Sequence, residues 1–140
     1  NYGGIRAAIT KGNVTVSNAF ELMPFDNTLV VVELNYEKIQ ELFAYFISKN
    51  IAHPLSSQIE LRIKNKSYDI LINGKPIEKN KTYYVATSNY LQKGGDAMNF
   101  FKNPLSLYDS NFLIRDAIVE YFKSKDTLIS NLDNRVIISN

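Results

Sequence analysis

The chain has 140 residues, 45% of them hydrophobic, a formal net charge of +2 and no cysteine. That is the length of one ordinary domain with enough apolar material for a sizeable core. The near balance of 16 basic and 14 acidic residues gives no electrostatic argument for nucleic acid or an anionic membrane, the lack of cysteine excludes disulfides and zinc–thiolate sites within the chain, and no apolar run approaches the ~20 residues that a membrane span needs.

The chain opens on Asn1-Tyr2-Gly3-Gly4-Ile5-Arg6. Paired glycines free the backbone to bend tightly or to approach a ligand closely. Arg6 has a planar, permanently charged fork suited to phosphate or carboxylate. Residues 18–23 read as a short helix, capped by Ser17 and stopped by Pro24. Residues 28–34 (TLVVVEL) form a β-branched run with few charges, a strand inside a sheet. Asn35 is placed to cap the next helix, in which Ile39, Leu42, Phe43, Phe46 and Ile47 recur at helical spacing. Residues 58–64 alternate strictly and read as a half-buried strand.

Residues 70–77 contain Asn73-Gly74, a hairpin turn, since both residues tolerate positive φ. Residues 82–87 (TYYVAT) form another strand, which runs into Ser88-Asn89-Tyr90-Leu91 and then Gly94-Gly95-Asp96. Asp109 or Ser110 is placed to cap a final helix with Ile114, Ala117, Ile118, Tyr121 and Phe122 on its buried face. Residues 135–139 close the chain as a short strand. The Lys-Asn-Lys stretches at 64–66 and 79–81 read as solvated turns. The mixture predicts one α+β domain over residues 1–140, with a mixed sheet and packed helices.

Few residues carry obvious chemistry. The one histidine, His53, lies in a turn-like stretch and reads as a surface or loop-packing residue. The carboxylates are scattered, with no pattern of metal ligands and no nucleophile paired to a base. The loops are more informative. Pro24-Phe25-Asp26-Asn27 places an aromatic and an amide at the mouth of a strand, and Asn89-Tyr90 with Gly94-Gly95-Asp96 follows another. Two aromatics can sandwich a flat ring, and a carboxylate can accept hydrogen bonds from a vicinal diol.

Asn1-Tyr2-Gly3-Gly4-Ile5-Arg6, Pro24-Phe25-Asp26-Asn27 and Asn89-Tyr90-Leu91-Gln92-Lys93-Gly94-Gly95-Asp96, in this order and at these intervals, resemble the C-terminal domain of the 5′-nucleotidase family, which includes UDP-sugar hydrolases and 2′,3′-cyclic-nucleotide phosphodiesterases. The resemblance covers nearly the whole chain. It implies that this domain binds the nucleoside half of a nucleotide substrate. Phe25 and Tyr90 would stack on the two faces of the base, and Asp96, beside Gly95, would accept from the ribose hydroxyls. Arg6, after Gly4, would meet the phosphate, and Asn1 and Asn27 would supply polar contacts. It further implies a partner metallophosphoesterase domain upstream in the same protein, holding two divalent metal ions and the catalytic residues. This chain would hold neither cofactor nor catalytic residue and would not be catalytic alone. A periplasmic, cell-surface or secreted location follows from the same resemblance.

The chain departs from the family at three places. Asp26 stands where glycine is frequent and adds a negative charge near the expected pocket, Ala97 follows Gly-Gly-Asp where glycine is common, and residues 51–58 lack a glycine-containing loop. Two other readings compete: a free-standing nucleotide- or nucleoside-binding module without catalysis, and a structural remnant on a divergent relative. A remnant has no need of Phe25, Tyr90 and Asp96.

Overall fold

The computed structural model describes all residues except 50, 52, 65, 66, 132, 134 and 140, and only the backbone at 64, 138 and 139. The second Lys-Asn-Lys stretch, at 79–81, is exposed at a turn as expected; of the first, at 64–66, only the backbone of Lys64, the last residue of a strand, is described. The element order is α1 (Val16–Leu22), β1 (Thr28–Asn35), α2 (Tyr36–Lys49), β2 (Ile59–Lys64), β3 (Ser67–Ile72), β4 (Lys75–Pro76), β5 (Thr82–Ser88), α3 (Asn89–Gln92), β6 (Ser106–Leu113), α4 (Ile114–Lys123) and β7 (Val136–Ser139). Short 3₁₀ turns occupy Tyr2–Gly4, Gly95–Ala97 and Asn99–Phe101.

β1 alternates Val30, Val32 and Leu34 inward, all essentially inaccessible. Its β-branched run suits a central strand, and it has partners on both sides in the order β5-β1-β6, each antiparallel. The second sheet has the order β4-β3-β2-β7. β2 is antiparallel to β3 and parallel to β7, which makes this sheet mixed. Asn73 and Gly74 turn the β3–β4 hairpin with φ of 51° and 72°, the positive pair that a two-residue turn requires. α2 lays Ile39, Leu42 and Phe43 into one core with Val30, Val32, Leu34, Leu61, Ile70, Leu91, Met98, Phe100 and Phe101. This is the expected α+β architecture, and the Asn35 cap is present: its Oδ1 accepts the Lys38 N–H at 3.0 Å.

Two caps fall elsewhere than the sequence suggests. Thr15, not Ser17, caps α1, in a reciprocal box with Asn18, whose Oδ1 accepts the Thr15 N–H at 2.8 Å. Asp109 and Ser110 lie inside strand β6 and cap no helix. Their side chains instead stabilise an irregularity in the β1–β6 pairing between Thr28 and Val30. The Asp109 carboxylate accepts the Asn111 N–H at 2.9 Å, the Ser110 hydroxyl accepts the Phe112 N–H at 3.1 Å, and Asn111 has a left-handed φ of 54°. Short polar side chains satisfy a bulged strand by the same bonds with which they cap helices. α4 then starts at Ile114 with no side-chain cap. Its predicted buried face is only half-buried, and Tyr121 is exposed. No described helix is long and apolar enough to cross a membrane.

Leu34 fills the centre of this core at 1% exposure. Leu34→Ala should therefore cost about 2–5 kcal/mol. Urea denaturation should show a lower midpoint with an unchanged slope.

Candidate functional site

The antiparallel register pairs Leu29 at the start of β1 with Ser88 at the end of β5. The segment before β1 and the turn after β5 are thereby side by side, which brings Phe25 and Tyr90 to the same end of the sheet. Asn89 fastens the two, its Oδ1 accepting the Thr28 N–H at 3.2 Å. Ser88 caps α3 through its hydroxyl, which accepts the Leu91 N–H at 3.1 Å, so Tyr90 rides on an anchored helical turn.

A cleft of about 730 Å³ opens here, within the range of small-molecule sites. Asn1, Gly4, Arg6, Phe25, Asn27, Tyr90 and Asp96 all line it. Of the residues singled out in the sequence, Gly95 does not line the cleft; it forms a platform under Tyr90. A Cβ at position 95 would lie 2.4 Å from the Tyr90 ring, closer than any side chain can sit. Gly4 has a comparable role at the other rim, where a Cβ would come within 2.8 Å of the Asn1 Oδ1.

Asp96 is the most connected of these groups. The Tyr90 hydroxyl donates to its Oδ1 at 2.9 Å, and the Asn1 side-chain amide donates to its Oδ2. The Asp96 N–H donates back to the Tyr90 hydroxyl at 3.3 Å, and the Asp96 carbonyl accepts from the Tyr45 hydroxyl at 2.7 Å. Burial, and the nearby Asp96 charge, raise the pKa of Tyr45, which keeps that phenol a donor. An ionised carboxylate offers about four lone-pair sites. Two are used here, and capacity for a diol remains.

Phe25 is half-buried, and the Arg6 guanidinium lies over its ring, 5.2 Å from the centroid, a cation–π arrangement. Arg6 is itself exposed at the mouth, with its backbone N–H held by the Leu22 carbonyl at 3.0 Å. The Asn27 carbonyl accepts the Ile114 N–H at 2.9 Å, which ties the Phe25 loop to the start of α4. Asp26 does not add its charge to the cleft. It is absent from the lining and pairs with Arg115 of α4 at 2.9 Å. Arg115 in turn lies over the Phe20 ring, 4.2 Å from its centroid.

His53 packs the loop as expected, but at 8% exposure it is buried and not a surface residue. Its Nδ1 accepts the Tyr2 N–H at 3.1 Å. The sequence carries no local signal for this bond, because its partners are 51 residues apart. The same holds for Arg115 and Tyr45, whose contacts with the site cross between elements. Among the described residues no group of three or more His, Cys, Asp or Glu side chains could hold a metal ion.

The family described as the 5′-nucleotidase C-terminal domain matches residues 1–103. The chain is 27% identical over 130 residues to the protein UshA of Yersinia enterocolitica, covering 90% of this chain and 24% of that protein. It is 29% identical over 153 residues to the trifunctional nucleotide phosphoesterase protein YfkN of Bacillus subtilis, covering 93% of this chain and 10% of that protein. Among solved structures, the 5′-nucleotidase precursor from Thermus thermophilus superimposes with a TM-score of 0.88 at 26% identity, over 100% of this chain and 31% of that one. The chain thus spans a third or less of each of these relatives. The matched residues 1–103 contain all three loops that build the cleft, and with a fold shared along its length the chain belongs to the family of 5′-nucleotidase C-terminal domains.

Proposed function

We propose that this chain is the nucleotide-binding part of a two-domain phosphohydrolase of the 5′-nucleotidase type, holding base and ribose while another domain hydrolyses the phosphoester. The observation that carries the reading is the convergence of Arg6, Phe25, Tyr90 and Asp96 on one cleft from three separate loops. Tyr90 has one face on Gly95, so its other face is the one offered to a base, opposite Phe25. The spare lone pairs of Asp96 receive the ribose hydroxyls. Arg6, already positioned by Phe25, meets the phosphate. Stacking is indifferent to base identity, and this arrangement accepts more than one nucleotide.

The two divalent ions are assigned in this proposal to the other domain. Bound in the other domain, they would activate water and stabilise the leaving oxygen. What this chain contributes is orientation: binding energy from base and ribose places the phosphate for attack. An exported location is part of the same proposal.

Four outcomes test it. Purified chain with added Mn²⁺ should release no phosphate from AMP above a buffer control; release that copurifies with the protein contradicts the division of labour. Adenosine should bind in an NMR titration, and Tyr90→Ala should weaken it by about 1–3 kcal/mol, roughly 5- to 150-fold. Gly95→Ala should approach the same loss with the fold intact, because the new methyl group displaces the ring. Asp96→Asn should weaken adenosine more than 2′,3′-dideoxyadenosine. Equal losses for the two ligands would mean that Asp96 shapes the loop without reading the ribose.

A further inference from the structure

Among the described residues, His53 is the one buried ionisable group at the cleft that the proposed binding scheme leaves unused. Its ring stacks on Phe46 with centroids 4.5 Å apart and lies 5.9 Å from Tyr45. Because Nδ1 accepts the Tyr2 N–H, its lone pair is free of a proton, and the neutral ring must carry its hydrogen on Nε2. Nε2 is buried and has no partner among the described residues. Tyr2 opens the 3₁₀ turn Tyr2–Gly4 that leads to Arg6, and the adjoining Asn1 grips the Asp96 carboxylate. One imidazole nitrogen therefore fixes the backbone at the root of the loop.

We propose that His53 is a positioning residue for the nucleotide: its Nδ1 lone pair holds the Tyr2 amide, and with it the loop of Asn1, Gly4 and Arg6, only while the ring is neutral. This rests on the reading of that loop as part of the nucleotide site. Protonation would put an N–H on Nδ1 facing the Tyr2 N–H, and two donors cannot bond. The groups around the ring are Tyr45 and Phe46 from α2 and Asp96 from the turn after α3, with Lys49 beyond, 5.7 Å from the centroid of the Tyr45 ring. Burial opposes the charged form and Asp96 favours it; burial prevails, and the histidine pKa is lowered. With a lowered folded-state pKa, the stabilisation by the neutral ring is complete above the ordinary value of about 6.5. It is lost as pH falls from there through the folded pKa.

The test follows the ¹⁵N-labelled chain between pH 8 and pH 5. In the wild type, the His53 Hε1 shift and the Tyr2 amide shift should titrate with one midpoint below that of free histidine. The Tyr2 amide should also lose its exchange protection, corrected for intrinsic rate, across the same range. AMP is then titrated into wild type, His53→Asn and His53→Leu. Asparagine can place an acceptor near the Nδ1 position but does not titrate, whereas leucine offers no acceptor. AMP's own phosphate ionises in this range, so His53→Asn serves as the reference that retains that ionisation alone. Wild type should match His53→Asn at pH 8 and fall about tenfold below it at pH 5, a loss comparable to one hydrogen bond. His53→Leu should be weak throughout, with Tyr2 unprotected. A Tyr2 amide that ignores His53 titration, or identical AMP profiles for wild type and His53→Asn, would overturn the proposal. If Tyr2 and His53 titrate together but AMP binds at no pH, the hold on the loop stands and the nucleotide reading fails.

Discussion

The candidate site depends on how the Asp96 carboxylate is held. One oxygen takes the Tyr90 hydroxyl and the other the Asn1 amide, while the carbonyl of the same residue takes the Tyr45 hydroxyl. Hydrogen bonds to an ionised group are stronger than neutral ones, and these join three segments of the chain at one point. The backbone there is unusual. Asp96 and Ala97 have φ of 53° and 60°, a region that non-glycine residues rarely enter. Such a conformation persists where its surroundings over-determine it, and the four bonds made by Asp96 and its peptide N–H do so. Ala97 is thus accommodated by the bonds of its neighbour.

That point could not form without the register of the first sheet. β1 is buried on one face by Val30, Val32 and Leu34 and cannot slip by one residue without turning all three to the opposite face. Its pairing with β5 sets Leu29 against Ser88. Everything upstream of Leu29, including Phe25 and Asn27, is then delivered beside everything downstream of Ser88, including Tyr90 and Asp96. Core packing and the geometry of the cleft are linked through this one strand pair, and the lateral bond from Thr28 to Asn89 fixes the separation of the two loops.

Much of this was legible in the sequence because it is local. β1 announced itself by its β-branched run, α2 by the spacing of Ile39, Leu42 and Phe43, and the hairpin by Asn73-Gly74. The three loops could be picked out by their motifs, and all three lie within residues 1–103, which match the 5′-nucleotidase C-terminal domain family. β6 was hidden because Asp109 and Ser110 have helix-cap chemistry, which the fold uses in a bulged strand; the pairing that makes it a strand is supplied by β1. The destination of Asp26 was equally hidden. Its charge looked like a feature of the pocket, but Arg115, 89 residues on, turns it toward α4. The bond from Tyr2 to His53 has the same character: no pattern in either segment encodes a partner across the fold.

The most direct measurement of the central claim is a set of intermolecular NOEs between adenosine and this chain. The account predicts contacts from the base protons H2 and H8 to the ring protons of both Phe25 and Tyr90. It also predicts contacts from the ribose protons to the Asn1 side-chain amide beside Asp96. Saturable binding with NOEs confined to Tyr108 and Phe112, exposed aromatics of β6 that do not line the cleft, would contradict it.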